Sequence, residues 1–280
     1  MPFKTLLVFT DDSEASALRL DTAIALAGRL GAHLTAVTLL EQPAYYYGIG
    51  TEVAADAYLA DIERVEALAR DAAAASASTM SAAGIAADTR WATGAPAALT
   101  EITARHARYA DLALVGQPVD GPVEPLLTRI FEGMLFESGR PLAVIPKTWR
   151  GGAFGKRVMI AWAPRREAAR AVADAMPFIA AAERVNIALV DPETGPAAHG
   201  EEPGADLAAS LSRHSVPVAV DQLPRAGQGI ADRLLTHAGD CGADLLVMGG
   251  YGHWRLRESL FGGVTRDVLR GAAIPVLMSH

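Results

Sequence analysis

The sequence predicts an α/β fold built as two tandem, doubly wound parallel five-stranded sheets related by a pseudo-twofold. Three observations carry that reading. Ala110-Asp111-Leu112-Ala113-Leu114-Val115-Gly116 is echoed by Ala243-Asp244-Leu245-Leu246-Val247-Met248-Gly249, and a proline-led apolar run follows each copy (Pro141–Ile145, Pro275–Met278). Within each half, short apolar runs alternate with helical periodicity, the pattern of βαβ crossovers and a parallel sheet covered on both faces. Thr148 to Gly155 is glycine-rich and separates the copies, so the units are residues 1–148 and 156–280. A chain of 280 residues gives each unit enough length to bury its own core.

The elements follow in order. Leu6–Thr10 is a continuous apolar run, hence a strand buried on both faces. Leu20, Ala23, Ile24 and Ala27 recur at helical spacing, with Ser13 or Asp12 as the cap and Gly31 as the stop. His33–Leu40 is the second strand, Val53–Ala83 a long alanine-rich helix, Thr89–Thr93 the third strand and Ala97–Arg108 a helix. Leu112–Val115, a helix ending before Gly139, and Leu142–Ile145 complete the unit. The second copy runs Val158–Trp162, a helix through Val172, Ala175, Met176 and Ile179 with a kink expected at Pro177, and Val185–Val190. A shorter helix, Gly204–His214, and the strands Val216–Leu223, Leu245–Met248 and Val276–Met278 follow. The two last strands are apolar and would be exposed sheet edges, so they are expected to pair with each other.

Composition excludes several classes. With 32 Asp+Glu against 25 Lys+Arg the net charge is −7, which argues against nucleic acid as a partner. No apolar run is long enough to span a membrane, and the first residues read as structure rather than a signal peptide. The single cysteine, Cys241, excludes an internal disulfide and fits a cytoplasmic setting. His237 and Cys241 stand four apart, a spacing that suits a metal, but without further ligands they read as an ordinary pair, and no metal is expected. Tyr45-Tyr46-Tyr47 reads as a loop cluster at the edge where such a fold binds ligands. No hydrolase motif and no convincing catalytic carboxylate pair is present, so no catalytic residue is named.

An open parallel sheet binds ligands beyond the carboxyl ends of its strands, where the strand order reverses. In the second copy that position carries Gly249-Gly250-Tyr251-Gly252, and nine residues later Gly262-Gly263-Val264-Thr265 opens a helix. Glycines let backbone N–H groups approach an anion, and the helix start adds its dipole. His253, Arg255 and Arg257 lie between them as partners for phosphate oxygens. Asp191, ending the second strand of this copy, is placed to take a ribose hydroxyl. The glycines do not form a Rossmann fingerprint, because Arg255 stands where Gly or Ala is needed. Gly151 to Lys156 is not a P-loop, because Arg157 replaces the magnesium-holding Ser or Thr.

Gly249-x-x-Gly252-x9-Gly262 is similar to the nucleotide loop of the universal stress protein family. Leu7 to Glu14 resembles that family's first strand and turn, and Ala272 to Met278 its final strand. The resemblance spans nearly the whole chain as a tandem of two units. It implies the adenine nucleotide alpha hydrolase-like fold, a stress-response role in the cytoplasm, ATP or another adenine nucleotide as ligand in some members, and pairing of units through their last strands. Carried over residue by residue, it assigns Asp11 and Gly116 to a vestigial site in the first copy, whose loop lacks the later glycines. In the second copy Ala163 stands where the family has Asp, and Gly263 where it has Ser or Thr. The expectation is therefore a ligand-responsive regulatory or protective module, with a small phosphorylated ligand in the second half and the two halves forming an intramolecular pseudo-dimer that can dimerise further. The rivals are a protein-interaction module without nucleotide and, less favoured, a weak ATPase.

Overall fold

The computed structural model describes residues 2–43, 52–118, 124–150, 152–195, 201–250 and 263–280. The chain forms two compact units, Phe3–Arg140 and a second containing Pro141–His280.

In the first unit β1 (Thr5–Thr10), α1 (Glu14–Leu30), β2 (His33–Glu41), α2 (Glu52–Ala82) and β3 (Ala87–Gly94) follow one another. A 3₁₀ turn (Pro96–Ala98), α3 (Leu99–Ala107), β4 (Leu112–Gly116) and α4 (Glu124–Glu132) come next, and α4 runs into a π-helical turn, Gly133–Glu137. The strands are parallel in the order β3-β2-β1-β4. Leu6, Val8 and Phe9 of β1 are all 0% exposed, as a strand covered on both faces requires. Ser13 is the N-cap of α1: its Oγ accepts from Ser16 N at 3.3 Å. Gly31 ends that helix at φ 59°, a left-handed conformation that glycine adopts without steric cost. Ala69, Ala73, Ser76 and Met80 of α2 are buried at helical spacing, so only one stripe of this long helix meets the sheet.

The π-helical turn arises where α4 meets α3. A side chain at Gly133 would come within 2.4 Å of Thr100 O, so the two backbones approach to a distance only glycine allows.

The second unit contains β5 (Leu142–Ile145), β6 (Arg157–Ala161), α5 (Arg166–Ile179), β7 (Arg184–Val190), α6 (Ala205–Ser212), β8 (Val218–Leu223), α7 (Ile230–Asp240), β9 (Leu245–Gly249), α8 (Gly263–Gly271) and β10 (Val276–Ser279). Its strand order is β5-β10-β9-β6-β7-β8. Pro177 lies in the last turn of α5 and the helix continues past it to Ile179. Among the described residues no helix is long and apolar enough to cross a membrane.

The one antiparallel pairing in this unit joins the last strands of the two copies. Val276, Leu277 and Met278 pair with Val144, Ala143 and Leu142, and all six side chains are at most 1% exposed. The pairing expected from the two apolar edges is present. It also draws β5, the fifth strand of the first copy, into the second compact unit.

The aspartate of the repeated Ala-Asp-Leu has a structural task in both copies. Asp111 Oδ2 accepts from Lys4 N at 2.8 Å and Thr5 N at 2.9 Å, holding the start of β1 against β4. Asp244 Oδ1 accepts from Gly155 N at 3.0 Å and Arg157 N at 2.9 Å, and its Oδ2 from Lys156 N at 3.1 Å, holding β6 against β9. Backbone N–H groups at a strand start have no ladder partner, and a carboxylate satisfies them with charge-assisted bonds.

Leu277→Ala is expected to cost about 2–5 kcal/mol, the range for emptying a fully buried leucine site. Urea denaturation checks it; a loss below that range would show that the β5–β10 pairing is not tightly packed.

Candidate functional site

In the first unit the chain adds β2 and β3 to one side of β1 and β4 to the other, so the crevice lies beyond the carboxyl ends of β1 and β4. Asp11 and Gly116, the two residues assigned to a vestigial site, meet there. The crevice is filled. Arg19 comes in from α1 and is 2% exposed. Its Nη2 donates to Asp11 Oδ2 at 2.7 Å and its Nε to Phe9 O at 2.6 Å. A side chain at Gly116 would lie 2.5 Å from Arg19 Nη1. The other oxygen of Asp11 accepts from Ser13 N at 2.8 Å. Both carboxylate oxygens are thus committed within the protein.

Arg19 was not among the expected site residues, although its position carries a signal. It stands on the stripe Arg19, Ala23 and Leu26, which is buried throughout. A cation on the apolar face of a helix must find a buried partner, and Asp11 is the acid eight residues before it.

The second unit has the same switch point between β6 and β9. Leu6 pairs with Leu112 and Val158 with Leu245, so Asp11 corresponds to Ala163, Arg19 to Ala171 and Gly116 to Gly249. Neither member of the ion pair is repeated. The first turn of α5 approaches Gly249 instead, and a side chain there would lie 2.5 Å from Ala168 N. The N-cap of α5, Arg165, makes no side-chain capping bond, in contrast to Ser13. Glu167 occupies this turn and is buried. Burial pushes its carboxyl up, but hydrogen bonds from Arg166 and from its own backbone N–H, with the charges of Arg166 and His280, bring it below the ordinary glutamate range.

The remaining expected residues divide as follows. Gly250 N donates to Ser279 O at 2.9 Å, and its carbonyl oxygen accepts from His280 Nδ1 at 3.0 Å, which ties the loop start to the end of β10. Gly263 opens α8, and no described residue lies within 4 Å of the place its side chain would take. Val264 is 37% exposed and Thr265 is buried. Asp191 follows β7 at φ 43° and is exposed, and its Oδ1 accepts from Arg225 N at 3.1 Å. Gly252, His253, Arg255, Arg257 and Gly262 lie outside the described residues, as do Tyr45, Tyr46 and Tyr47.

The sequence profile of the universal stress protein family matches residues 2–134 and 156–280. The chain belongs to that family. The fold agrees with solved universal stress proteins. One from Archaeoglobus fulgidus DSM 4304 aligns with a TM-score of 0.70 at 20% identity, covering 98% of this chain and 95% of the other. A putative universal stress protein from Pseudomonas aeruginosa UCBPP-PA14 aligns with a TM-score of 0.52 at 16% identity, covering 99% and 93%. A comparison with proteins of curated function finds no match.

The His237 and Cys241 pair of this universal stress protein is engaged within the fold. His237 Nε2 donates to Asp221 Oδ2 at 2.9 Å, and Asn186 Nδ2 donates to the same oxygen at 2.7 Å. Cys241 Sγ donates to Ala238 O at 3.6 Å, and burial pushes its thiol up, away from a reactive thiolate. Among the described residues no group of three His, Cys, Asp or Glu side chains is arranged to hold a metal.

Two outcomes are expected. Arg19→Met leaves Asp11 buried without a counter-charge and should cost about 3–5 kcal/mol, whereas Arg19→Met with Asp11→Asn should cost clearly less. Equal losses in urea melts would show that the two groups are not coupled. At Asp221, burial pushes the carboxyl up, while the bonds from Asn186 and His237 and the charges of His237 and Arg184 more than offset it and hold it low. A carboxyl depressed in the folded state stabilises above its unfolded pKa, and that stability is lost as pH falls below about 4. Asp221→Asn should therefore lower stability at pH 7 by about 1–2 kcal/mol and flatten the acid limb of a stability–pH curve.

Proposed function

We propose that this universal stress protein is a ligand-responsive cytoplasmic module with one ligand crevice per chain, at the carboxyl ends of β6 and β9, and that the ligand is an adenine nucleotide or a related phosphate. The observation that carries this reading is the asymmetry between the crevices. Arg19 fills the first and engages Asp11, whereas Ala171 and Ala163 stand in the corresponding places of the second.

Gly249 then lets the loop start approach the ligand, and Gly252, Gly262 and Gly263 bring backbone N–H groups to it with the amino end of α8 beside them, whereas the N–H of Gly250, expected to join them, is committed to Ser279 O. An anion at a helix start gains from the dipole and from unpaired N–H groups. No described residue crowds Gly263, which suits that role. His253 and Arg255 pair with phosphate oxygens in this reading, Val264 borders the pocket, and Asp191 Oδ2 takes a ribose hydroxyl. Asp191 also stands in for the carboxylate that Ala163 does not supply.

One observation favours the rival, an interaction module without nucleotide. Glu167 holds a buried negative charge in the helix turn that touches Gly249, and it repels phosphate there. The effect on a bound nucleotide is weaker affinity, since Arg166 already pairs with Glu167 and screens part of its charge.

Calorimetry with ATP and with AMP separates the two readings. The expected result is binding of one nucleotide per chain, lost in Gly252→Leu and Gly262→Leu and unchanged in the Arg19→Met, Asp11→Asn double variant. No heat from folded protein at millimolar nucleotide would favour the interaction module. Two nucleotides per chain would show that Arg19 does not close the first crevice.

A further inference from the structure

A second concave site lies in the first unit, at the opposite ends of the strands from the crevice. A cavity of about 180 Å³ is lined by the starts of β1 and β2, by β3, and by the end of α3. That is room for roughly six water molecules at liquid density. Its polar lining is His33, Thr35, Asp88, Arg90, His106 and Tyr109.

Asp88 is internally satisfied. Its Oδ1 accepts from His33 Nε2 at 2.7 Å and Thr35 Oγ1 at 2.8 Å, and its Oδ2 accepts from Arg90 Nε at 3.3 Å. That leaves donors over. The two Nη groups of Arg90 have no acceptor among the described residues, and the ring of His106 has no hydrogen-bond partner there. His106 is half-buried, and burial first, then the charges of Arg105 and Arg90, disfavour its protonated form. Arg90, whose side chain is 53% exposed, and the half-buried His106 thus line one cavity with donor capacity that no described residue takes up.

The second unit shows what such a place holds when it is complete. Leu34 pairs with Ala87 and Val185 with Val218, so Thr35 corresponds to Asn186 and Arg90 to Asp221. His106 stands in the last turn of α3, and His237 in the last turn of α7. There the histidine donates to the Asp221 carboxylate, which Asn186 also engages. The first unit keeps the histidine but has an arginine where the carboxylate would be. The carboxylate of this place is Asp88, two residues before Arg90, and it is taken up by His33, Thr35 and Arg90 Nε, which leaves His106 without the acceptor that His237 has.

We propose that the cavity between Arg90 and His106 binds a small oxyanion, the carboxylate or phosphate group of a compact metabolite. Arg90 offers its Nη fork and His106 a ring N–H, a pairing suited to a carboxylate or phosphate edge. The Tyr109 ring, 80% exposed at the rim, is free to cover whatever the anionic group is attached to. The Asp88 carboxylate and the carboxyl end of α3 together oppose an anion with about one and a half elementary charges, against the two positive charges of Arg90 and Arg105.

The test is histidine-resolved NMR of the full chain, titrated separately with inorganic phosphate and with acetate at millimolar concentration. His106 ring resonances are expected to shift saturably, and Arg90→Asp, which recreates the His237–Asp221 arrangement, should weaken the binding about tenfold or more. Arg90→Gln, which removes the charge without adding a carboxylate, should weaken it similarly and serves if the first variant folds poorly. A response to phosphate alone points to a phosphate monoester, and a response to acetate points to a carboxylate. No saturable shift with either, or unchanged affinity in both variants, overturns the proposal. Anions held at the carboxyl ends of β6 and β9 leave His106 unmoved, so this result is independent of the nucleotide reading.

Discussion

Each copy ends its fourth strand in a glycine that has no room for a side chain, and the division of roles follows from what presses against it. At Gly116 the intruder is the guanidinium of Arg19, and at Gly249 it is the backbone of α5's first turn. Both contacts sit where a doubly wound sheet reverses its strand order, the one place where two loops diverge and leave a cleft. A charged side chain in that cleft must bring its own counter-charge, so Arg19 and Asp11 come as a pair. A backbone turn makes no such demand.

The architecture itself does not depend on either cleft. It rests on contacts at the other places the repeat preserves. Asp111 and Asp244 clamp the starts of β1 and β6 through backbone N–H groups. The antiparallel β5–β10 pairing covers both final strands. Parallel strands buried on both faces then need little beyond continuous apolar runs and glycine or capped turns between them.

How much of this was legible in the sequence depends on whether a feature is local. Apolar runs gave the strands to within one or two residues, because the parallel core demands them. The outer strands were read less well: β3 spans Ala87–Gly94 rather than Thr89–Thr93, since its partly exposed residues lack a continuous apolar run. The third helix begins with a 3₁₀ turn, which the shared periodicity of its residues hides. The repeated aspartate was visible as a motif, but its task was not, because its partners are backbone groups more than 80 residues away in sequence. Asp11 and Gly116, which the sequence singles out, lie at one crevice, whereas Arg19, which fills the space between them, is not singled out. Arg19 is a polar residue on an amphipathic helix, and only its helical alignment with Ala23 and Leu26 marks it as inward-facing. The cavity beside His106 was beyond reach, because it is assembled from three strands and a helix whose registers no local pattern fixes.

A duplicated chain allows this separation of tasks for a physical reason. In a protein with a single copy, a buried ion pair in the cleft would exclude a ligand altogether, so cleft and ligand are strictly coupled. Two copies on one chain remove that coupling, because the clamps and the final-strand pairing hold the fold whether or not a cleft is open. Substitutions at Asp11 and Arg19 then act on the stability of the first copy, and in the proposed reading those around Gly249 act on ligand affinity, with no shared partners between the two sets among the described residues. Effects at sites without shared partners are close to additive. The same independence extends to the far end of the strands. There Arg90 and Asp221 occupy matching positions with opposite charge, and each copy retains its histidine. One reversal of charge at a matched position leaves the first copy's histidine without the carboxylate that closes the pair in the second.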